Sequence, residues 1–299
     1  MEKLSYFILL CGLVTAGGCL SPAQEEENYL ENFNVVTIKE DTEKERIEIK
    51  TPTDWQNWNP KTGIYRETDA DFEVEGKSVS LYGKDLLKID PAKTICISAN
   101  FKNLSSQADA NVYLGFRLYD QDKKEIRDWN VCVIPDSDTV LSRKCSPEST
   151  TIYVRDASRW PEQSKVHLAF FTATDYSDLP NANIKHSAGQ IIQSITKLTD
   201  HNYAVEFANP VGFAGDAATP VRLHKQGGAY MYAGGSKLLK SQESISLSGC
   251  VKGQVEKDMP QNAWCPGAAY ARVIVLVRSN SEDCKIQFDS IKVEEVDSK

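Results

Sequence analysis

The residues best equipped for chemistry stand close together in Arg222-Leu223-His224-Lys225-Gln226-Gly227-Gly228-Ala229-Tyr230-Met231-Tyr232. If Val221 to Lys225 is a strand, Arg222 and His224 lie on one face, because successive strand side chains alternate. If Ala229 to Ala233 pairs back through the Gly turn, Tyr230 and Tyr232 share a face as well. Such a group could stack a sugar ring on tyrosine while Arg222 and His224 bond its hydroxyls, since sugars present apolar C–H faces beside dense hydroxyls. The plainer arrangement has both tyrosines filling a β-core and Arg222 and His224 closing a polar network, as aromatic strand pairs are common in such cores.

The tryptophans carry the same two readings. Trp129 after Arg127-Asp128, Trp160 before Pro161, and Trp264 before Cys265-Pro266 sit at loop borders, where stacking platforms are mounted. Trp55 and Trp58 fit a platform or a core plug equally well. Asp120-Gln121-Asp122 could offer oxygens to a structural calcium, although a polar hairpin turn accounts for it more simply. No other cofactor is indicated, and Asp175 to Asn181 reads as a rim loop. Signatures of zinc hydrolases, serine hydrolases, P-loops and dinucleotide folds are absent from the sequence. With 42 Asp and Glu in the chain, most of them solvated surface, a glycosidase carboxylate pair is not legible.

The elements that must position these residues are strands. Lys77 to Tyr82, Thr94 to Phe101, Val112 to Tyr119, Lys165 to Thr172, Tyr203 to Phe207 and Arg272 to Val277 show a period of two. Polar turns at Asp120 to Lys123, Asp200 to Asn202 and Gly227-Gly228 punctuate them. Ala188, Ile191, Ile192, Ile195 and Leu198 have helical spacing, but Thr199 to Asn202 can turn this segment into a hairpin with Tyr203 to Phe207, so a strand is expected. No repeat or composition break divides residues 35 to 297. Many strands without a helical pattern predict a single antiparallel β-sandwich or barrel, all-β, over that span.

Residues 1–18 read as a targeting segment. Lys3 precedes a predominantly apolar stretch of eleven residues, Leu4 to Val14, which would span ~16 Å as a helix against the ~30 Å of a bilayer core. That length suits a signal peptide. Ala16-Gly17-Gly18-Cys19 resembles the bacterial lipobox, with Ala16 where that pattern prefers Leu. The resemblance implies lipidation of Cys19, a membrane anchor, and an exported protein of the bacterial cell envelope. Leu20 after the cysteine is similar to lipoproteins sorted to the outer membrane, where the host has one. Residues 19–34, with Glu25-Glu26-Glu27, read as an acidic tether. A net charge of −8 argues against nucleic acid as a partner.

Six further cysteines in an exported chain predict disulfides, with fifteen connectivities open. Cys132–Cys145 and Cys250–Cys265 each bracket a polar loop of hairpin size, which leaves Cys96–Cys284. Zinc is the weaker alternative, because no C-x-x-C or neighbouring His supports it.

Three stretches together resemble the jelly-roll carbohydrate-binding modules of the galactose-binding-like superfamily. Trp55-Gln56-Asn57-Trp58 ahead of Gly76 to Leu81 is similar to the family's opening segment and first strand. Ile97 to Lys102, Val112 to Tyr119 and the Asp120 to Lys123 turn resemble its paired strands, with Lys123 where the family has Gly. Cys284 to Val293 is similar to its terminal strand, with a bulge expected at Asp289-Ser290. The resemblance implies an elaborated jelly roll and a surface lipoprotein that binds a glycan or polysaccharide without catalysis. Its expected contacts are Trp129, Arg222, His224, Tyr230, Tyr232 and Trp264. One alternative is a polysaccharide lyase, in which Tyr230 or Tyr232, His224 and Arg222 abstract a proton and neutralise a uronate. For that, an acidic protein has to concentrate positive charge locally. The other is a structural lipoprotein with a protein partner, marked by an apolar surface patch.

Overall fold

The computed structural model describes residues 46–48, 54–67, 71–184 and 190–296. The expected signal peptide, Cys19 and the acidic tether lie outside the described residues. The strands run as β1 (Arg46–Glu48), β2 (Trp55–Asn57), β3 (Gly63–Glu67), β4 (Phe72–Gly76), β5 (Ser78–Gly83), β6 (Leu87–Lys88), β7 (Thr94–Asn103), β8 (Ala110–Tyr119) and β9 (Glu125–Ile126). After a single helical turn, α1 (Asp128–Val131), come β10 (Thr139–Val140), β11 (Thr151–Val154), β12 (Lys165–Phe170), β13 (Gln190–Thr199), β14 (Asn202–Phe207) and β15 (Pro220–Lys225). The chain then finishes with β16 (Met231–Leu239), β17 (Ser244–Val251), β18 (Tyr270–Ser279) and β19 (Lys285–Val296).

Two antiparallel sheets form a sandwich. One has the order β17-β7-β19-β4-β3 with β1 on β19, and the other β16-β8-β18-β5-β2 with β6 on β18 and β9 on β8. Val74, Ile97, Phe101, Ile286, Phe288 and Val293 from the first sheet meet Val79, Leu81, Leu114, Phe116, Val273 and Val275 from the second in one buried cluster. The Trp55 ring crosses between the sheets to Phe288 at 6.1 Å. Trp55 is thus a core plug. The bulge expected near Asp289-Ser290 is present, since the β19–β7 register jumps from Asp289↔Asn100 to Lys292↔Ser98. Lys123 adopts φ 62°, a left-handed conformation that tight turns demand.

A third sheet, β10-β15-β12-β13-β14-β11, is built entirely from the middle of the chain. A bridge between Leu141 and Val154 joins its two ends, so it closes on itself. It encloses a core of its own, with Leu141, Ile152, Phe170, Ile192, Phe207 and Leu223 among its members. β13 and β14 form the expected hairpin, with Thr199 opposite Asn202. Its helical spacing reflects a bulged strand: the register slips twice along β13.

The disulfide expectation needs correction. Cys96 and Cys250 are directly opposite each other on β7 and β17 and are bonded. Cys132, Cys145, Cys265 and Cys284 are buried free thiols. Cys132–Cys145 does not form because Cys132 belongs to the sandwich core and Cys145 to the inserted one. With Cys96 holding Cys250, the Cys250–Cys265 and Cys96–Cys284 bridges fall as well. A disulfide between neighbouring strands belongs to an oxidising, extracytoplasmic compartment.

Candidate functional site

The two sandwich sheets differ on their outer faces. Along β7 burial alternates strictly between inward and outward residues, so that sheet turns a polar side to solvent. An open depression of ≈ 350 Å³ there is flanked by Asp71, Asn100, Lys102, Ser246, Gln287 and Asp289. Four of its polar groups pair off, Ser246 donating to Asn100 at 2.7 Å and Gln287 to Asp71, while Asp289 Oδ1 is buried without a hydrogen-bond partner. In β5, β8 and β18 the buried positions run on without alternation. The seven-stranded sheet therefore carries apolar and aromatic side chains on both faces.

That outer face is built by parity. Val112, Leu114, Phe116 and Leu118 point into the core, which sends Tyr113, Arg117 and Tyr119 outward. β18 contributes Tyr270 and Arg272, aligned with Tyr119 and Arg117. β5 adds Tyr82, opposite Ile274, and the start of β16 adds Tyr230 and Tyr232. Gly115 lies between these groups for a steric reason. A Cβ there would come within 2.0 Å of the Met231 carbonyl, so β16 could not approach.

The Arg117 guanidinium is the centre of the array. It lies 5.2 Å from the Trp58 ring, 4.9 Å from Tyr82 and 5.9 Å from Tyr230. The attraction is between a cation and the negative ring faces. Tyr82 and Tyr230 stack at 6.3 Å and Tyr230 continues to Tyr232 at 6.1 Å, which packs on Tyr113 at 5.0 Å. Trp58 is 60 % exposed and meets Tyr82 edge-on at 5.6 Å, so one large ring is offered to solvent at the rim. Burial raises the Tyr82 phenol's pKa, with Tyr230 adding to the effect. Burial likewise raises Tyr119, against the lowering pull of Arg117 and Arg272. Both phenols are therefore neutral at neutral pH.

An ionic chain leads away from this point. Arg117 and Arg127 both pair with Glu125, and Arg127 lies 4.8 Å over the Trp129 ring. Trp129 is half-buried against His167 at 5.2 Å. It marks the junction where the inserted sheet leaves the sandwich.

The structure separates the residues that the sequence grouped. β16 pairs with β8 and β15 with β12 and β10, so no hairpin joins Arg222 and His224 to the tyrosines. Arg222 and His224 do share a face, but both are fully buried. Arg222 donates to Asp178 at 2.7 Å, to the Ala173 carbonyl at 3.1 Å and, through Nε, to His224 Nε2 at 2.9 Å. His224 Nε2 is then an acceptor, and Nδ1–H donates to the Trp129 carbonyl at 2.7 Å. Burial, and then the adjacent Arg222, lower the His224 pKa to about 3. These two residues hold the Asp175–Asn181 loop in place and have no surface for a ligand. Trp264 is also corrected: it is 1 % exposed and packs on Phe116 in the core. Of the expected contacts, Tyr230 and Tyr232 lie on the aromatic face, and Trp129 lies at its ionic extension. The lyase arrangement required Tyr, His and Arg to converge, and Arg222 and His224 point elsewhere.

Tyr82, Arg117, Tyr119 and Arg272 were missed by the sequence reading. The signal was present in Arg272-Val273-Ile274-Val275-Leu276-Val277, whose unbroken apolar run marks a strand covered on both faces.

No family model matches this sequence, and no curated protein matches it. Among solved structures, the CBM22-1 xylan-binding domain of Paenibacillus barcinonensis Xyn10C aligns over 85 % of this chain and 94 % of its own, at 7 % identity and a TM-score of 0.32. At that score the likeness assigns no binding property to this chain.

Proposed function

We propose that this protein is an exported lipoprotein, anchored through Cys19, that binds carbohydrate without catalysis on the outer face of its seven-stranded sheet. The observation that carries the proposal is the Trp58 ring, 60 % exposed, mounted at the rim on the buried Arg117 and Tyr82, with the half-buried Tyr230 beside them. Flat rings beside fixed polar donors suit a ligand with apolar C–H faces and hydroxyl edges. Trp58 supplies the exposed platform, and Tyr230 and Tyr119 supply hydroxyls. The Cys19 anchor is supported by the lipobox-like sequence and agrees with the oxidising compartment that the Cys96–Cys250 bond indicates.

The test is isothermal titration and affinity electrophoresis of the full chain, in detergent, against neutral and acidic polysaccharides, xylan among them. Products are analysed in parallel. Binding without cleavage, weakened in Trp58→Ala, is the expected result. Unsaturated oligosaccharide products would replace the binding role with a lyase, and absence of binding to every polymer would sink the reading. Labelling with an alkyne fatty acid, lost in Cys19→Ser, tests the anchor.

A further inference from the structure

Arg272 and Arg117 are Cα partners across the β18–β8 ladder, so two guanidinium groups rise side by side from adjacent strands. Like charges at directly opposed positions repel. Arg117 is compensated by Glu125 and by three aromatic rings. Arg272 is not: among the described residues it makes no ion pair, and its one partner is the Tyr119 ring, 5.4 Å away. Its Nε is buried without a hydrogen-bond acceptor, as is the Nε of Arg117. A buried guanidinium nitrogen with no acceptor is expensive to leave in that state. Glu125 is shared between Arg117 and Arg127, so the one carboxylate on this flank is already engaged by two arginines. The chain as a whole is acidic, with a net charge of −8, which makes this local excess of positive charge the more distinctive.

We propose that Arg272 receives the carboxylate of an acidic sugar, so that the aromatic face selects polysaccharides containing uronic acid over their neutral counterparts. This rests on the carbohydrate-binding reading above. A guanidinium matches a carboxylate in bidentate geometry, and the Tyr119 ring, 5.4 Å away, flanks it. One uncompensated arginine suits one charge per recognised sugar. A densely sulfated polymer would place many anions against an acidic protein with a single cation to receive them.

The experiment compares polygalacturonate, alginate and glucuronoxylan, each with its carboxyl-reduced form, as ligands of the full chain by titration. At least one acidic polymer is expected to bind about tenfold tighter than its reduced form, the factor that one charge-assisted hydrogen bond carries. The preference should shrink in 0.5 M salt (roughly, a Debye length of a few Å). Arg272→Gln should abolish the preference, and Arg272→Lys should keep part of it; a preference that survives Arg272→Gln overturns the proposal. A melting temperature within a few degrees (roughly 1 kcal/mol) of the wild type's certifies that Arg272→Gln is folded. Equal affinity for every acidic and reduced pair overturns the proposal while sparing carbohydrate binding. Binding to none of the six removes the underlying reading. Tighter binding to dextran sulfate than to any uronate overturns carboxylate selection.

Discussion

The hydroxyls of Tyr82 and Tyr230, 148 residues apart in the chain, meet at 2.6 Å. β5 and β16 bring them there from opposite sides of β8 and β18, above the gap that Gly115 leaves. Their rings and the exposed Trp58 enclose the Arg117 guanidinium, so the position of each ring depends on the other two.

Trp58 and Trp264 should therefore behave in opposite ways. Trp58→Ala is expected to weaken polysaccharide binding about tenfold with little change in melting temperature, because its ring is largely exposed. Trp264→Ala removes a fully buried ring and should destabilise the fold by about 3–5 kcal/mol. Calorimetric titration and urea denaturation of both variants check the pair.

Arg222→Ala should be among the most damaging substitutions in the inserted sheet. It leaves Asp178 without its cation and the Ala173 carbonyl without a donor. A loss of about 3–5 kcal/mol is expected from breaking a buried pair on one side. The measurement is chemical denaturation, with proteolysis of the 175–181 loop as a local readout.

Acid should weaken the fold through His224. Its imidazole falls from 6.5 to about 3 in the folded state, so between those values the unfolded chain holds a proton that the folded chain lacks. This contribution to stability is complete above about pH 6.5 and declines, by up to roughly 1.4 kcal/mol per pH unit, as pH falls toward 3. His224→Gln keeps an acceptor for Arg222 and a donor for Trp129. Its melting temperature should fall less than the wild type's between pH 7 and pH 4, and parallel profiles would refute the assignment.

Reducing the Cys96–Cys250 bond, or replacing both residues with serine, is expected to remove about 5 kcal/mol of stability, since the bond joins residues 154 positions apart. Peptide mapping without reductant should recover these two cysteines linked. Cys132, Cys145, Cys265 and Cys284 should resist alkylation until denaturant is added, as all four thiols are buried.

The sandwich was legible in the sequence because its strands alternate. The parity of Val112, Leu114, Phe116 and Leu118 fixed the inner face of β8, and with it the outward direction of Arg117. The bulge in β19 could be read from the phase change between Phe288 and Ile291. The pairing of β16 was not legible. Gly227-Gly228 looks like a hairpin turn, yet it is the point where the chain passes from the inserted sheet back to the sandwich, and turn chemistry does not distinguish these. For the same reason Arg222 and Tyr230, eight positions apart, ended in different sheets, Arg222 within β15 and Tyr230 at the start of β16. The disulfides failed on spacing: strands remote in sequence bring Cys96 and Cys250 together, and loop length cannot report that.

The backbone N–H of Lys225 donates to the Cys132 carbonyl at 2.8 Å, and every residue of the inserted core falls between these two positions. The insertion therefore begins and ends at one place. Topologically it is a cassette: excising residues 133–224 and joining Cys132 to Lys225 by a short turn would leave each strand of the sandwich with its neighbours intact. The Trp58, Arg117 and Tyr230 array lies wholly on the retained side of that cut. The aromatic face and the inserted sheet can thus be exchanged or trimmed separately.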